Sequence, residues 1–175
     1  PLLAEWSGPF GGIPAFDRVK VEFFEPALEV AMEERLKETE KIASSTAPPT
    51  FENTIAALEQ TGKVMERVQR IYGIWSGNMS TPDFQAVQRE MAPKLAAFSD
   101  KIIQNEKLFK RIESVYNARE ESRLTGEQQR LTWLYYTNFV RSGAKLDSKQ
   151  KNRLSGINQE LASLFTKFSQ NVLAD

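Results

Sequence analysis

Apolar side chains recur three and four residues apart through most of this chain, and nowhere do they alternate with the period of two that a half-buried strand requires. From about Val21 to Ser44, Phe24, Leu28, Met32, Leu36 and Ile42 mark one face. Glu29, Glu33, Glu34, Lys37, Glu38 and Lys41 mark the other. Pro26 is tolerated only in a first turn, so this helix should start close to it. The loop from Ser44 to Pro49 closes the helix, and Thr50 is placed to cap the next one, because its hydroxyl can accept from an orphan amide. That second helix is expected from Phe51 to about Ser76, with Ile55, Leu58, Met65, Val68, Tyr72 and Trp75 inward and Gly62 a weak point at a close helix contact. A third starts at Pro82 behind Thr81, with Asp83 beside the positive end of the dipole. Phe84, Val87, Met91, Leu95, Phe98 and Ile102 continue it, and Pro93 inside the pattern should kink it.

A short fourth helix is expected from Glu106 to about Arg119, carrying Leu108, Phe109, Ile112, Val115 and Tyr116. Thr125 and Gln128 form a capping-box pattern for a fifth, with Leu131, Leu134, Tyr135, Phe139 and Val140, ended by Ser142 and Gly143. Asp147 and Gln150 start a sixth. Its stripe of Leu154, Ile157, Leu161, Leu164, Phe165, Phe168 and Val172 is the cleanest in the chain and meets no stop signal before Asp175, which reads as a cut rather than an end. Before the helices, Pro1, Gly8, Pro9, Gly11, Gly12 and Pro14 forbid helix. Trp6, Phe10, Ile13 and Phe16 in the same stretch argue against plain disorder. The pattern therefore predicts an all-α fold: an extended arm over residues 1–20 and a bundle-like domain of about six helices over residues 21–175.

Composition narrows the chemistry. The 175 residues include 23 basic and 23 acidic side chains, so no net field draws in nucleic acid or an anionic membrane. Hydrophobic content of 41% with mean hydropathy −0.45 fits a globular domain, and no apolar run is long enough to cross a bilayer. Cysteine and histidine are both absent. That excludes disulfides, thiol nucleophiles, Ser/His/Asp triads and any His- or Cys-bearing zinc site within these residues. The composition suits cytoplasm and periplasm equally. The chain begins at Pro1 rather than Met, as expected of a chain processed or cut from something longer.

Candidate clusters have ordinary readings. Glu33, Glu34, Glu38 and Glu40, interleaved with Lys37 and Lys41, read as a solvated helix face, and Glu120 and Glu121 as surface. A di-metal bundle would need Glu-x-x-His pairs, which a chain without His cannot supply. Trp133, Tyr135, Tyr136, Phe139 and Arg141 could stack bases, but a neutral chain lacks the electrostatic footprint, and core plus packed interface is the simpler reading. Lys145, Lys149, Lys151 and Arg153 gather at the start of the last helix, where the dipole does not favour positive charge. Solvent, or an acidic neighbour outside the chain, accounts for them.

Several segments together resemble the N-terminal part of the M3 family of zinc metallopeptidases, nearest its Dcp-type peptidyl-dipeptidases and then oligopeptidase A. They are Pro9-Phe10-Gly11-Gly12-Ile13-Pro14-Ala15-Phe16-Asp17, Phe24-Glu25-Pro26-Ala27-Leu28-Glu29, Pro49-Thr50-Phe51-Glu52-Asn53-Thr54-Ile55, Glu90-Met91-Ala92-Pro93-Lys94-Leu95, Asn105-Glu106-Lys107-Leu108-Phe109 and Ile157-Asn158-Gln159-Glu160-Leu161-Ala162-Ser163-Leu164. The chain departs from relatives at Phe23 and Phe98, which stand where they carry His at positions that are not catalytic. The resemblance implies a parent enzyme whose zinc is held downstream by a His-Glu-x-x-His helix and a further Glu, with the intervening Glu activating water. No catalytic, cofactor-binding or metal residue of the family maps onto this chain. The segment is then expected to bind no zinc and to be inert alone. Its implied role is to wall a channel that admits short peptides, from whose C-terminal end the parent removes dipeptides. Its implied partners are those peptides and the missing C-terminal catalytic domain, with no nucleic acid and no membrane. The alternative is a free-standing helical binding module of the same ancestry, acting through a surface groove, with Trp6, Phe10, Phe16 and the end at Asp175 as interaction surfaces.

Overall fold

The computed structural model describes residues 1–8 and 12–174, so Pro9, Phe10 and Gly11 of the arm and Asp175 at the end lie outside the described residues. Two short 3-10 turns, Phe16–Arg18 and Val21–Phe23, lead into helix α1, Phe24–Ala43. A π-helical turn, Phe51–Ala56, runs into the brief α2, Ala57–Glu59, and α3 follows at Lys63–Asn78. Then come α4 (Pro82–Ile103), α5 (Glu106–Asn117), α6 (Gly126–Arg141) and α7 (Ser148–Ala174). The fold is all-α, as the periodicity requires.

One expected helix is two. The stretch from Phe51 to Ser76 breaks at Gly62, which sits at φ 77°, a left-handed conformation that no helix can propagate. A Cβ at that position would lie 2.7 Å from Cδ of Arg35, so Gly62 does mark a close approach. Gly62 marks a break between two helical segments rather than a soft spot within one. By contrast, α4 continues through Pro93, whose ring removes one donor without ending the helix.

The chain divides into two compact units, and the divisions fall inside α1, α4 and α7. The first unit comprises Pro1–Arg35, Gly62–Ala96 and Asn158–Asp175. Its core is aromatic. Phe24 meets Phe84, Trp75 and Tyr72 at ring-centroid distances of 5.1, 5.5 and 5.8 Å, and Phe16 stacks on Trp75 at 6.1 Å. Leu28, Met65, Val68, Ile71 and Met91 fill the remaining space, and Leu2 of the arm is buried too. The Leu3 carbonyl accepts from Arg67. Burial raises the Tyr72 hydroxyl to about pKa 12.

The second unit comprises Leu36–Thr61 and Ala97–Ile157. Ile42, Phe51, Ile55, Leu58, Leu108, Phe109, Ile112, Val115 and Phe139 form its core. The caps read from the sequence are in place. Thr50 and Asn53 exchange reciprocal bonds, as do Thr125 and Gln128, and Asp147 and Gln150. Arg111, on the buried face of α5, ties this unit together. Its Nη1 donates to the carbonyls of Ser45 (3.0 Å) and Ala47 (2.9 Å), and its Nη2 donates to Asn53 Oδ1 (2.9 Å). Asn53 Nδ2 in turn donates to the Pro48 carbonyl at 2.9 Å. One guanidinium thus fixes both the loop after α1 and the cap of the π-helical turn.

Three outcomes are expected. Gly62→Ala should lose about 1–2 kcal/mol in urea unfolding, since an L residue must adopt a left-handed conformation there; an unchanged midpoint would mean that the chain relaxes out of this turn. Arg111→Met should cost about 3 kcal/mol, through the loss of charge-assisted bonds to Ser45, Ala47 and Asn53. Arg111→Lys should recover little of it, because a single ammonium cannot span three acceptors on two segments. Tyr72 keeps its proton in the folded state up to about pH 12, whereas the unfolded side chain loses it near the ordinary value of 10.0. Folding stability is therefore unaffected by this group below pH 10 and declines between pH 10 and 12. Tyr72→Phe should flatten that alkaline decline in a pH series of denaturation curves while leaving stability near pH 7 little changed.

Candidate functional site

Three lysines, Lys94, Lys145 and Lys151, lie against glutamates. Lys94, on α4 of the first unit, lies 3.0 Å from Glu25 and Glu29 of α1 and 3.0 Å from Glu90 one turn back on its own helix. Hydrogen bonds to Glu29, Glu25 and Glu90, in that order, hold its ammonium well above the usual lysine range. Three carboxylates converge there, but their common partner is already present and cationic. The cluster is a surface ion-pair network, which leaves no vacancy for a metal.

In the second unit, Lys145 donates to the Tyr136 hydroxyl and pairs with Glu113, both at 2.9 Å. It also lies over the Tyr136 ring at 5.3 Å and the Phe109 ring at 5.9 Å. These contacts, the Tyr136 bond first, raise its pKa above the ordinary lysine value. Lys151 is buried, 3.6 Å from Glu106 and 3.4 Å from the Gln104 carbonyl. Glu106, Glu113, Lys145 and Lys151, with Phe109 and Ala144, line a cleft of about 420 Å³. The basic start of α7 therefore needs no acidic neighbour from outside. Glu106 and Glu113 of α5 supply one for Lys151 and one for Lys145, a pairing across some forty residues that only packing creates. Lys149 and Arg153 are exposed, in keeping with the solvent reading.

The other clusters are not assembled into sites. Glu33, Glu34 and Glu40 are exposed and Glu38 is half-buried. Glu40 accepts from Asn105 at 3.1 Å. Glu120 pairs with Arg119 and Glu121 is exposed. The aromatic run on α6 is split by the helix. Phe139 is core, Tyr136 stacks on Phe109 (6.0 Å) and Tyr116 (3.8 Å), Tyr135 bonds Glu59, and Trp133 alone points substantially outward. Phe23 is half-buried and Phe98 buried. A second cleft of about 340 Å³ is lined by residues that include Pro49, Phe51, Glu52, Val115 and Arg123. Among the described residues no group of three or more Asp or Glu side chains is placed to hold a metal ion, and no helix is long and apolar enough to cross a membrane.

The shifted groups also speak to chemistry. Lys94 and Lys145 are pushed up, and Asp83 is pushed down by a bond from the Thr81 hydroxyl and then by backbone amides. Each of these moves takes a group away from neutrality, whereas a general acid or base is tuned toward it.

No protein-family profile matches the chain. Individual proteins do. The chain is 33% identical over 174 residues to a dipeptidyl carboxypeptidase of Salmonella typhimurium and 32% identical to one of Escherichia coli, covering 99% of this chain and 25% of each of those proteins. It is 24% identical over 173 residues to oligopeptidase A of Escherichia coli, again covering 99% of the chain and 25% of that protein. The chain thus spans about a quarter of the length of the curated relatives it matches. The relatives are peptidases of the M3 family, and the chain is similar over its whole length to a segment of them, more so to the two dipeptidyl carboxypeptidases than to oligopeptidase A.

Proposed function

We propose that the chain is the N-terminal, non-catalytic helical region of an M3 zinc peptidase that removes C-terminal dipeptides from short peptides. In this reading residues 21–175 form part of the wall of the substrate channel. The observation that carries it is the match along 99% of the chain to dipeptidyl carboxypeptidases of which it spans only 25%. The residue inventory supports the division of labour. With no His and no Cys, the chain cannot supply a His-Glu-x-x-His helix, so zinc and the water-activating Glu belong to the rest of the parent. When bound there, zinc would polarise the scissile carbonyl and lower the pKa of an attacking water. The contribution of these residues is steric, since a rigid helical wall excludes folded proteins and limits which peptide bond reaches the metal.

The test is a pair of assays on blocked tetrapeptides. The full-length parent should release C-terminal dipeptides, lose at least 90% of that activity with a chelator, and regain it with zinc. The 175-residue chain should show no turnover above background. Hydrolysis by the short chain would sink the proposal. So would a natural polypeptide of about 19.9 kDa in its source cells, which would favour a free-standing binding module.

A further inference from the structure

The second half of α7 is amphipathic the wrong way round. Its half-buried residues are Asn158, Gln159, Ala162, Thr166 and Gln170, which recur at helical spacing on one face. Gln170 secures that face to α4. Its Nε2 donates to the Gln85 carbonyl (3.0 Å) and to Gln88 Oε1 (3.2 Å), and its Oε1 accepts from Arg89 (2.7 Å). The opposite face carries Leu161, Leu164, Phe165, Phe168 and Val172. Phe165 and Phe168 are each 67% exposed, and Val172 is 58% exposed. Phe165 and Leu173 also line a cleft of about 220 Å³ with Ser76, Gln88 and Gln170. Scattered apolar residues on a surface need no explanation, but a continuous stripe of this kind marks a face that something covers.

We propose that this stripe is the seat of the remainder of the parent polypeptide, a segment of the same chain outside these 175 residues that packs on α7 through apolar side chains. The inference rests on the reading of the chain as part of a longer peptidase. It goes beyond that reading in naming the surface that joins the parts. The relatives are about four times as long as the aligned segment, so three quarters of such a protein is free to supply the cover. A second copy is the poorer occupant. A stable interface takes about 800 Å² and some 20–30 residues from each partner, whereas the stripe offers five side chains on one helix. A covalently continuous partner needs no such area, because tethering raises its effective concentration. A membrane surface is poorer still, since an interfacial helix carries Lys and Arg opposite its apolar face, and here that face is amide-rich and bound to α4.

The test uses the intact parent and the absence of cysteine from these residues. Leu164→Cys and Phe168→Cys probe the stripe, and Lys167→Cys, at an exposed position off the stripe, is the control. Maleimide labelling of native protein is read by mass spectrometry of the α7 peptide. The stripe cysteines should label at least tenfold more slowly than the control, independently of protein concentration, and should match it in denaturant. Labelling equal to the control in a parent that still cleaves peptides would overturn this inference and leave the peptidase reading standing. Protection that fades on dilution, in step with loss of a dimer by sedimentation, would overturn it in favour of a second copy. A natural polypeptide no longer than this chain would remove the reading on which it rests.

Discussion

A single buried guanidinium organises the second unit. Arg111 makes three hydrogen bonds on two segments, and all three acceptors are neutral oxygens. A buried cation is tolerable only if other groups replace its water, and here the carbonyls of Ser45 and Ala47 and the amide oxygen of Asn53 do so. Asn53 Oδ1 is shared with the Thr50 amide at 2.8 Å and the Thr54 hydroxyl at 2.9 Å. The loop after α1, the start of the π-helical turn and the inner face of α5 are therefore fixed as one piece. The apolar residues Phe51, Ile55, Leu108 and Ile112 close around that piece.

The polar network elsewhere is equally committed. Lys94 is held by carboxylates and Lys145 by the Tyr136 hydroxyl and Glu113, and Thr81, Thr125 and Asp147 serve helix starts. These bonds hold Lys94 and Lys145 in their charged forms and tie them to neighbouring helices.

Burial is uneven along α7, and the unevenness follows the units. Lys151, at its start, is buried with its aliphatic stem covered and its ammonium near Glu106. Past Asn158 the apolar side is the exposed one. Hydrophobic periodicity reports that a helix has an apolar face, but it does not report which way that face is turned.

The caps and the inward stripes of α1, α3, α4, α5 and α6 were legible in the sequence, because local hydrogen-bond chemistry and the 3.6-residue period act within a few residues. So was the absence of histidine and cysteine, which is a matter of residue inventory. The tertiary structure decided the rest. Gly62 ends a helix because its backbone turns left-handed beside Arg35, Lys145 and Lys151 find acids on α5, and Arg111 is drawn inward by oxygens 58 to 66 residues away. The strongest stripe in the sequence, on α7, became the exposed one. Each of these depends on which surfaces meet, and a one-dimensional pattern carries no term for that.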